Sequence, residues 1–357
     1  MPNIIDYLEW RGDVPFSVSK FNTVDAMIFC ELSYFAMEDI VPADFSQSIP
    51  VSDMCKEVLK RNLRMHDKND VELAKKIIES ERYANIKIGG FVNDVNVEEG
   101  KQFCAMIFHL EDKKIFVAFR GTDENLIGWK ENMDLAYHDE VPAQELAKNY
   151  LNTVIRFFDT ETIVAGHSKG GNLSVYSSAF CDDDLFEKIS LVYNFDGPGF
   201  NSEVIKNPNF DKVKQKVKTI VPQSSIIGML LEHKEKINVI RSSENNGFSQ
   251  HPLFSWQIKR DDLEYLEGIT PVGQYTNENV REWIEKMSFE EKEEFIKTVF
   301  KLLDENKTVE DVFTVKNIIP LLKGYKDMSL DDKQKIKDVL GDLKDTVIDN
   351  IKERIDV

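Results

Sequence analysis

The hydrophobic pattern at the start of the chain is helical. NTVDAMIFCELSYF (22–35) has apolar residues at helical spacing after an Asn/Thr start, and DVELAKKIIES (70–80) repeats the pattern. From about residue 86 short apolar runs follow instead, NIKIGGFV, QFCAMIFHL and KIFVAFR, and EDK separates the last two. These runs predict strands, and EDK predicts a hairpin turn.

The middle of the chain alternates between amphipathic and continuously apolar segments. Residues 142–158 keep their apolar positions on one helical face, and the apolar run TIVAG (162–166) comes next. NLSVYSSAF (172–180) predicts another helix, whereas ISLVYNF (189–195) and VKTIVP (217–222) predict buried strands. This alternation is typical of a parallel sheet with helices on its faces. We therefore predict an α/β fold with a mostly parallel sheet and helices on both sides.

Three regions are expected from these patterns. A helical N-terminal extension (1–84) packs on an α/β core (85–274), and a charged C-terminal helical extension (275–357) follows, which is a possible cap. The last helix has an apolar stripe from Ile336 to Ile355, which we expect to dock on the body of the protein. A partner or a membrane surface is the alternative for that stripe.

Composition narrows the classes of partner. The chain has 63 acidic and 45 basic residues, so its formal net charge of −18 disfavours binding to nucleic acid. No apolar run reaches the ~18 residues needed to cross a bilayer, and no signal-peptide pattern is visible. The four cysteines are scattered without metal-binding spacing, so we expect them to be reduced and buried in a cytoplasmic protein. We expect neither a cofactor nor a metal.

The segment IVAGHSKGGN (163–172) joins a predicted strand to a predicted helix. It has neither the residue order of a phosphate-binding P-loop nor the glycine spacing of a dinucleotide-binding turn. It contains G-x-S-x-G, in which Gly166 and Gly170 leave room for a strained turn that projects the Ser168 hydroxyl. The N–H of Lys169, at the start of the helix, is then placed to stabilise an oxyanion. The alternative is a plain strand-to-helix turn.

A second motif ends the strand before this turn. FRGT (119–122) is followed by Trp129 and Asp134, and with GHSKGG these residues resemble the class 3 lipase group of α/β-hydrolases. The N-terminal DYLEWRGD (6–13) is similar to that of an uncharacterised bacterial group that also carries GHSKGG. The lipase-like resemblance covers about residues 85–255, and it implies an α/β-hydrolase core flanked by helical extensions.

The resemblance also implies roles for individual residues. Ser168 corresponds to the nucleophile, and Thr122 corresponds to an oxyanion residue that acts through its N–H and its hydroxyl. Trp129 and Asp134 are expected to be structural. Lys169 stands where the group has Leu, and its long cationic side chain is a candidate to alter the acyl-chain channel. Because a serine hydroxyl is a weak nucleophile, a base and an acid are needed as well.

Chain order selects the candidates for the base. An α/β-hydrolase places its histidine after the nucleophile and the acid, which leaves His233 and His251 of the six histidines. His233 is in a segment that reads as a helix end, where a solvated or capping role is expected. His251 is in a loop before an aromatic segment, and we favour it as the base. His167, next to Ser168, is expected to have a packing role.

The acid is the least regular part of the motif. Class 3 lipases carry it after a late strand, where this chain has Ser224 and Ser225 and no carboxylate. Asp196, in YNFDGPGF, follows the strand after the nucleophile helix, as the acid of pancreatic-type lipases does. Its alternative role is that of a turn-former in the sequence D-G-P-G. If Asp196 is not the acid, a serine or a backbone carbonyl would orient the histidine.

Together these residues predict a serine hydrolase that cleaves carboxylic esters, with lipid or acyl esters implied by the resemblance. A noncatalytic binding or scaffold protein, and an acyl-thioesterase or acyltransferase with the same nucleophile, are the alternatives. We expect a small-molecule substrate, no transmembrane segment and transient contact with a membrane surface. Residues 123–134 and the terminal helices are candidates for a lid.

Overall fold

Four helices open the chain. A computed structural model of the protein describes residues 2–63, 65–96, 101–122, 135, 140–245 and 249–270. The helices of the N-terminal part are α1 (Ile4–Arg11), α2 (Thr23–Leu32), α3 (Val51–Lys60) and α4 (Asp70–Glu79). Asn3 and Asn22 begin α1 and α2 with capping boxes, in which the side chain of each asparagine accepts from the first turn. These caps explain why the helices begin where the apolar periodicity begins.

One mixed sheet forms the centre of the described part of the chain. Its strands are β1 (Ile49–Pro50), β2 (Lys87–Asn96), β3 (Lys101–His109), β4 (Ile115–Phe119), β5 (Thr162–His167), β6 (Ile189–Phe195), β7 (Val217–Pro222), β8 (Ile237–Ile240) and β11 (Tyr265–Leu266), in the order β1-β2-β3-β4-β5-β6-β7-β8-β11. Strands β4 to β8 run parallel, and the strands outside them pair antiparallel. A separate hairpin pairs β9 (Ile258–Lys259) with β10 (Asp262–Leu263).

Helices cover both faces of this sheet. One hydrophobic cluster joins helices α1 to α4 to one face. A second cluster packs the other face against α5 (Pro142–Phe158), α6 (Lys169–Ala179) and α7 (Pro208–Val213). The predicted fold class is therefore confirmed: a sheet with a parallel centre, flanked by helices on both sides, is consistent with an α/β-hydrolase.

A buried ion pair anchors α2 to the rest of the N-terminal helices. Arg82 donates to both oxygens of Asp25, at 2.8 and 2.5 Å, and the two side chains are 1% and 0% exposed. Arg82 also donates to the carbonyls of Val14 and Ser19 at 3.0 and 2.7 Å. Because each charge has a partner, the cost of burying it is offset and the start of α2 is held in place.

Two sequence expectations concern the chain as a whole. All four cysteines are buried and none forms a disulfide, as predicted. Within the part of the chain that the structure describes, no helix has both the length and the apolar character needed to span a membrane.

Candidate active site

The predicted site residues follow neighbouring strands. Ser168 comes directly after β5, Asp196 after β6, and Gly121 and Thr122 shortly after β4. His251 lies in the connection between β8 and the strands that follow it. Since the carboxyl ends of parallel strands meet at one edge of a sheet, the fold brings the ends of β4, β5 and β6 to the same place.

Ser168 is the residue at the sharp turn between β5 and α6. Its backbone has φ 57° and ψ −131°, a conformation that costs a non-glycine residue about 1–3 kcal/mol. A methyl group on Gly166 would lie 2.2 Å from the Gly170 carbonyl oxygen, and one on Gly170 would lie 2.0 Å from the Phe119 carbonyl oxygen. Glycine at these two positions therefore permits the close approach of β4, β5 and α6 that the turn requires.

Asp196 and His251 form a hydrogen-bonded pair. Nδ1 of His251 lies 2.7 Å from Oδ2 of Asp196, whose residue is 0% exposed. A carboxylate only accepts, so Nδ1 carries a proton and Nε2 is left as the acceptor nitrogen of the neutral ring. That tautomer is the one a general base needs, because its basic nitrogen is available to the nucleophile.

The other oxygen of Asp196 is held by Ser225. The Ser225 hydroxyl donates to Oδ1 of Asp196 and accepts from the Gly228 N–H at 3.0 Å. A methyl group on Gly228 would lie 2.3 Å from the same Oδ1, so the turn at Gly228 packs closely on the carboxylate. The serine that follows β7, where the resemblance led us to expect an acid, therefore supports a carboxylate that comes from β6.

His233 is paired elsewhere. Its Nδ1 lies 3.0 Å from Oε1 of Glu235, and its Nε2 lies 2.9 Å from the Gly228 carbonyl oxygen. The side chain is only 5% exposed, which differs from the solvated or capping histidine expected from the sequence. Burial opposes ionisation of Glu235, yet the hydrogen bond from His233 keeps the pKa of that carboxylate below its usual range. Both ring nitrogens of His233 therefore face hydrogen-bond acceptors, the Glu235 carboxylate and the Gly228 carbonyl.

The His251 ring lies beside the turn that carries Ser168. Its ring centroid is 4.5 Å from that of His167, the residue before Ser168. Among the described residues, the Ser168 hydroxyl and Nε2 of His251 have no hydrogen-bond partner. Ser168 is 8% exposed, so a small part of it is open to solvent. Catalytic hydrogen bonds are commonly long before substrate binds, and this arrangement leaves both atoms available for one.

Oxyanion candidates flank the Ser168 turn. A methyl group on Gly121 would lie 3.0 Å from Cβ of Ser168 and 2.5 Å from the His167 carbonyl oxygen, so the segment that leads to Thr122 packs on the turn. Lys169 is the first residue of α6, where helix N–H groups point outwards along the axis. Gly121, the residue before Thr122, and the start of α6 therefore both adjoin the Ser168 turn.

The Lys169 side chain reaches the start of β3, beside the carboxyl ends of the parallel strands. It is 1% exposed, and Nζ donates to the Gln102 carbonyl oxygen at 2.7 Å, with Oε1 of Gln102 at 3.4 Å. The ammonium group therefore ties the start of α6 to β3.

Sequence reasoning missed Tyr34. Its hydroxyl lies 2.9 Å from Nδ1 of His167, although the two residues are far apart in the chain. No local pattern marks such a contact, since Tyr34 reads as one more apolar position at the end of α2. Ser225 was visible in the sequence, but only as a place where a carboxylate was missing.

Several predicted features lie outside the described residues. They are Trp129, Asp134, the candidate lid 123–134 and the C-terminal extension 275–357. In the described part of the chain, no group of three or more His, Cys, Asp or Glu residues could hold a metal ion.

Comparisons with known proteins give one family and distant structural likenesses. A family model described as Mbeg1-like matches residues 77–301. The chain is similar to the M37 lipase crystal structure at 14% identity and a TM-score of 0.39, over 59% of this chain and 70% of that chain. It is also similar to the Rhizomucor miehei lipase propeptide complex at 15% identity and a TM-score of 0.35, over 60% of this chain and 67% of that chain. No curated protein matches the chain.

Proposed function

The chain belongs to the Mbeg1-like family, a lipase-like family, and we propose that it is a serine hydrolase that cleaves carboxylic esters. The observation that carries this proposal is the 2.7 Å contact between Nδ1 of His251 and the buried carboxylate of Asp196. That pair lies beside the turn where Ser168 has a strained backbone. A nucleophile, a base and an acid in this relation are the elements of hydroxyl activation.

In the proposed first step, Nε2 of His251 takes the proton of the Ser168 hydroxyl as Oγ attacks the acyl carbonyl carbon. The carbonyl π electrons move to its oxygen, and a tetrahedral oxyanion forms. Asp196 stabilises the imidazolium through the Nδ1 hydrogen bond, and Ser225 keeps the carboxylate in place. General-base help of this kind contributes about 10²–10⁴-fold in rate.

The oxyanion is proposed to be bound by the backbone N–H groups of Thr122 and Lys169. Thr122 follows the Gly121 segment that packs on Ser168, and Lys169 begins α6. Donors that are already in place stabilise the negative charge as it develops, and removing one donor typically costs about 10²–10³-fold in kcat. The Thr122 hydroxyl is a third candidate donor.

The oxyanion then collapses and the acyl–oxygen bond to the leaving group breaks. The His251 imidazolium gives its proton to the departing alkoxide, which leaves as an alcohol, and the acyl group stays on Oγ of Ser168. A water molecule next attacks the acyl-enzyme while Nε2 of His251 accepts one of its protons. The second collapse returns that proton to Ser168 and releases the carboxylic acid.

Lipid or acyl esters are the proposed substrate class, because the family is lipase-like. The same steps serve an acyl-thioesterase or an acyltransferase, since only the leaving group or the acceptor changes.

The four thiols, none of which forms a disulfide, support a reducing compartment such as the cytoplasm.

A chain-length series of p-nitrophenyl esters and matching thioesters tests the proposal. Wild-type protein is expected to hydrolyse at least one ester at a rate that Ser168→Ala reduces to background. A preference for thioesters would move the assignment to an acyl-thioesterase. Equal rates for wild type and a folded Ser168→Ala variant would contradict a serine hydrolase and favour a noncatalytic binding protein.

A further inference from the structure

Tyr34 connects the N-terminal helical part of the chain to the candidate site. Tyr34, just beyond α2, is 7% exposed, and its ring stacks on His66 with centroids 4.4 Å apart. Its hydroxyl lies 2.9 Å from Nδ1 of His167, the last residue of β5. A residue of the N-terminal helical part is therefore bound to the strand that carries the nucleophile.

His167 continues this connection to the loop of the candidate base. Its Nε2 lies 3.0 Å from the backbone carbonyl oxygen of His251. A carbonyl only accepts, so Nε2 carries the proton and Nδ1 accepts from the Tyr34 hydroxyl. Burial holds the pKa of His167 well below its usual range, and the neighbouring His251 adds to this effect, which agrees with a neutral ring.

Tyr34 also packs on the segment that carries the oxyanion candidate. A methyl group on Gly121 would lie 2.3 Å from the Tyr34 hydroxyl, so the hydroxyl fits against a position where only hydrogen is tolerated. Tyr34 thus contacts the end of β4 and the end of β5. Through His167 it is also connected to the loop that follows β8.

We propose that Tyr34 and His167 are positioning residues for the reaction. The Tyr34 hydroxyl fixes the His167 ring, and the His167 Nε2–H holds the His251 backbone so that its imidazole stays beside Ser168. This inference rests on the proposed function, because it assigns to His251 the task of the base. Neither residue is itself the base or the nucleophile.

Two amide substitutions separate the two hydrogen bonds of His167. The amide nitrogen of His167→Gln can take the place of Nε2 and donate to the His251 carbonyl, whereas the shorter His167→Asn can replace only the Nδ1 acceptor. We expect Tyr34→Phe and His167→Asn to lower kcat by about 10- to 100-fold, as displacement of a catalytic group by about 1 Å does, with KM changed by less than about twofold. His167→Gln keeps the bond to the His251 carbonyl, so its kcat is expected to be at least several-fold higher than that of His167→Asn.

Tyr150→Phe is the matched control for Tyr34→Phe. Tyr150 is also 7% exposed, and its hydroxyl donates to the Gly90 carbonyl at 2.7 Å within the cluster on the opposite face of the sheet. The Tyr150→Phe variant loses one buried hydrogen bond, as Tyr34→Phe does. Its thermal unfolding temperature should therefore fall by about as much as that of Tyr34→Phe, while its kcat stays at the wild-type value.

The possible results distinguish the proposed hydrolase function from the positioning role of Tyr34 and His167. Absence of Ser168-dependent turnover in the wild-type protein would overturn both the proposed function and this inference. Wild-type turnover that survives unchanged in Tyr34→Phe and His167→Asn would overturn the inference alone. An equal loss of kcat in Tyr150→Phe, or no recovery in His167→Gln, would also overturn it.

Discussion

Asp196→Asn is the substitution that most directly perturbs the proposed acid. The carboxylate accepts from Nδ1 of His251 at 2.7 Å and from the Ser225 hydroxyl. An amide in its place can turn its NH₂ group towards Nδ1, which reverses the tautomer and leaves a proton on Nε2. The ring would then present a donor to Ser168 and could not remove its proton.

The expected size of this effect follows from related triads. Exchanging the carboxylate for an amide with the geometry preserved costs about 10⁴-fold in kcat, or about 5 kcal/mol of barrier at 1.36 kcal/mol per tenfold. The fold should tolerate the change, because the amide has the same shape and its oxygen can still accept from Ser225. We therefore expect a large loss of turnover with a small change in unfolding temperature.

The assay is steady-state hydrolysis of the best p-nitrophenyl ester by wild type, Asp196→Asn and Glu235→Gln. Glu235 is the matched control, because it is a buried carboxylate paired with a histidine, His233, at 3.0 Å. Glu235→Gln should lower kcat less than tenfold. A folded Asp196→Asn variant that keeps kcat within tenfold of wild type would refute the reasoning and point to another group that orients His251.

Two further predictions concern stability. Gly170→Ala should lower the unfolding temperature by several degrees, because its methyl group would lie 2.0 Å from the Phe119 carbonyl oxygen. Gly268→Ala is the control and should leave the unfolding temperature unchanged, since no atom lies within 4 Å of its methyl group. Equal effects of the two substitutions would contradict the packing argument. Burial raises the pKa of Glu31 well above its usual range and that of Asp70 to about 6. The folded protein therefore binds these protons more tightly than the unfolded chain does. The free energy of unfolding that this contributes is lost as the pH rises above about 4. Urea unfolding at pH 5 and pH 8 should therefore show a smaller loss in Glu31→Gln than in wild type, and identical losses would contradict this sign.

The central strands and helices were predictable because their apolar patterns are long. The runs at 115–119 and 162–167 are continuously buried, as are the last four residues of the run at 189–195. The helix at 142–158 is amphipathic over its whole length. β1 and β11 have two residues each, which is too short for any periodicity to show. Their pairing depends on neighbouring strands and not on local sequence.

The candidate site was predictable where its residues form local motifs. G-x-S-x-G predicts a strained turn at Ser168, and the structure has φ 57° there. The contacts of Tyr34 with His167, and of Ser225 with Asp196, join residues that are distant in the chain, so no spacing could indicate them. The buried pairing of His233 with Glu235 depends on the fold of the chain after β7. The catalytic roles of Ser168, His251 and Asp196 remain proposals.

The most direct test of the central claim is the rate at which a fluorophosphonate labels Ser168 in a matched pair of histidine variants. His251→Gln should label at least ~100-fold more slowly than wild type, because the base that activates Ser168 is lost. His233→Gln should label at close to the wild-type rate, since both of its ring nitrogens face Glu235 and Gly228. Labelling of His251→Gln at the wild-type rate, or no labelling of Ser168 in the wild-type protein, would contradict the account.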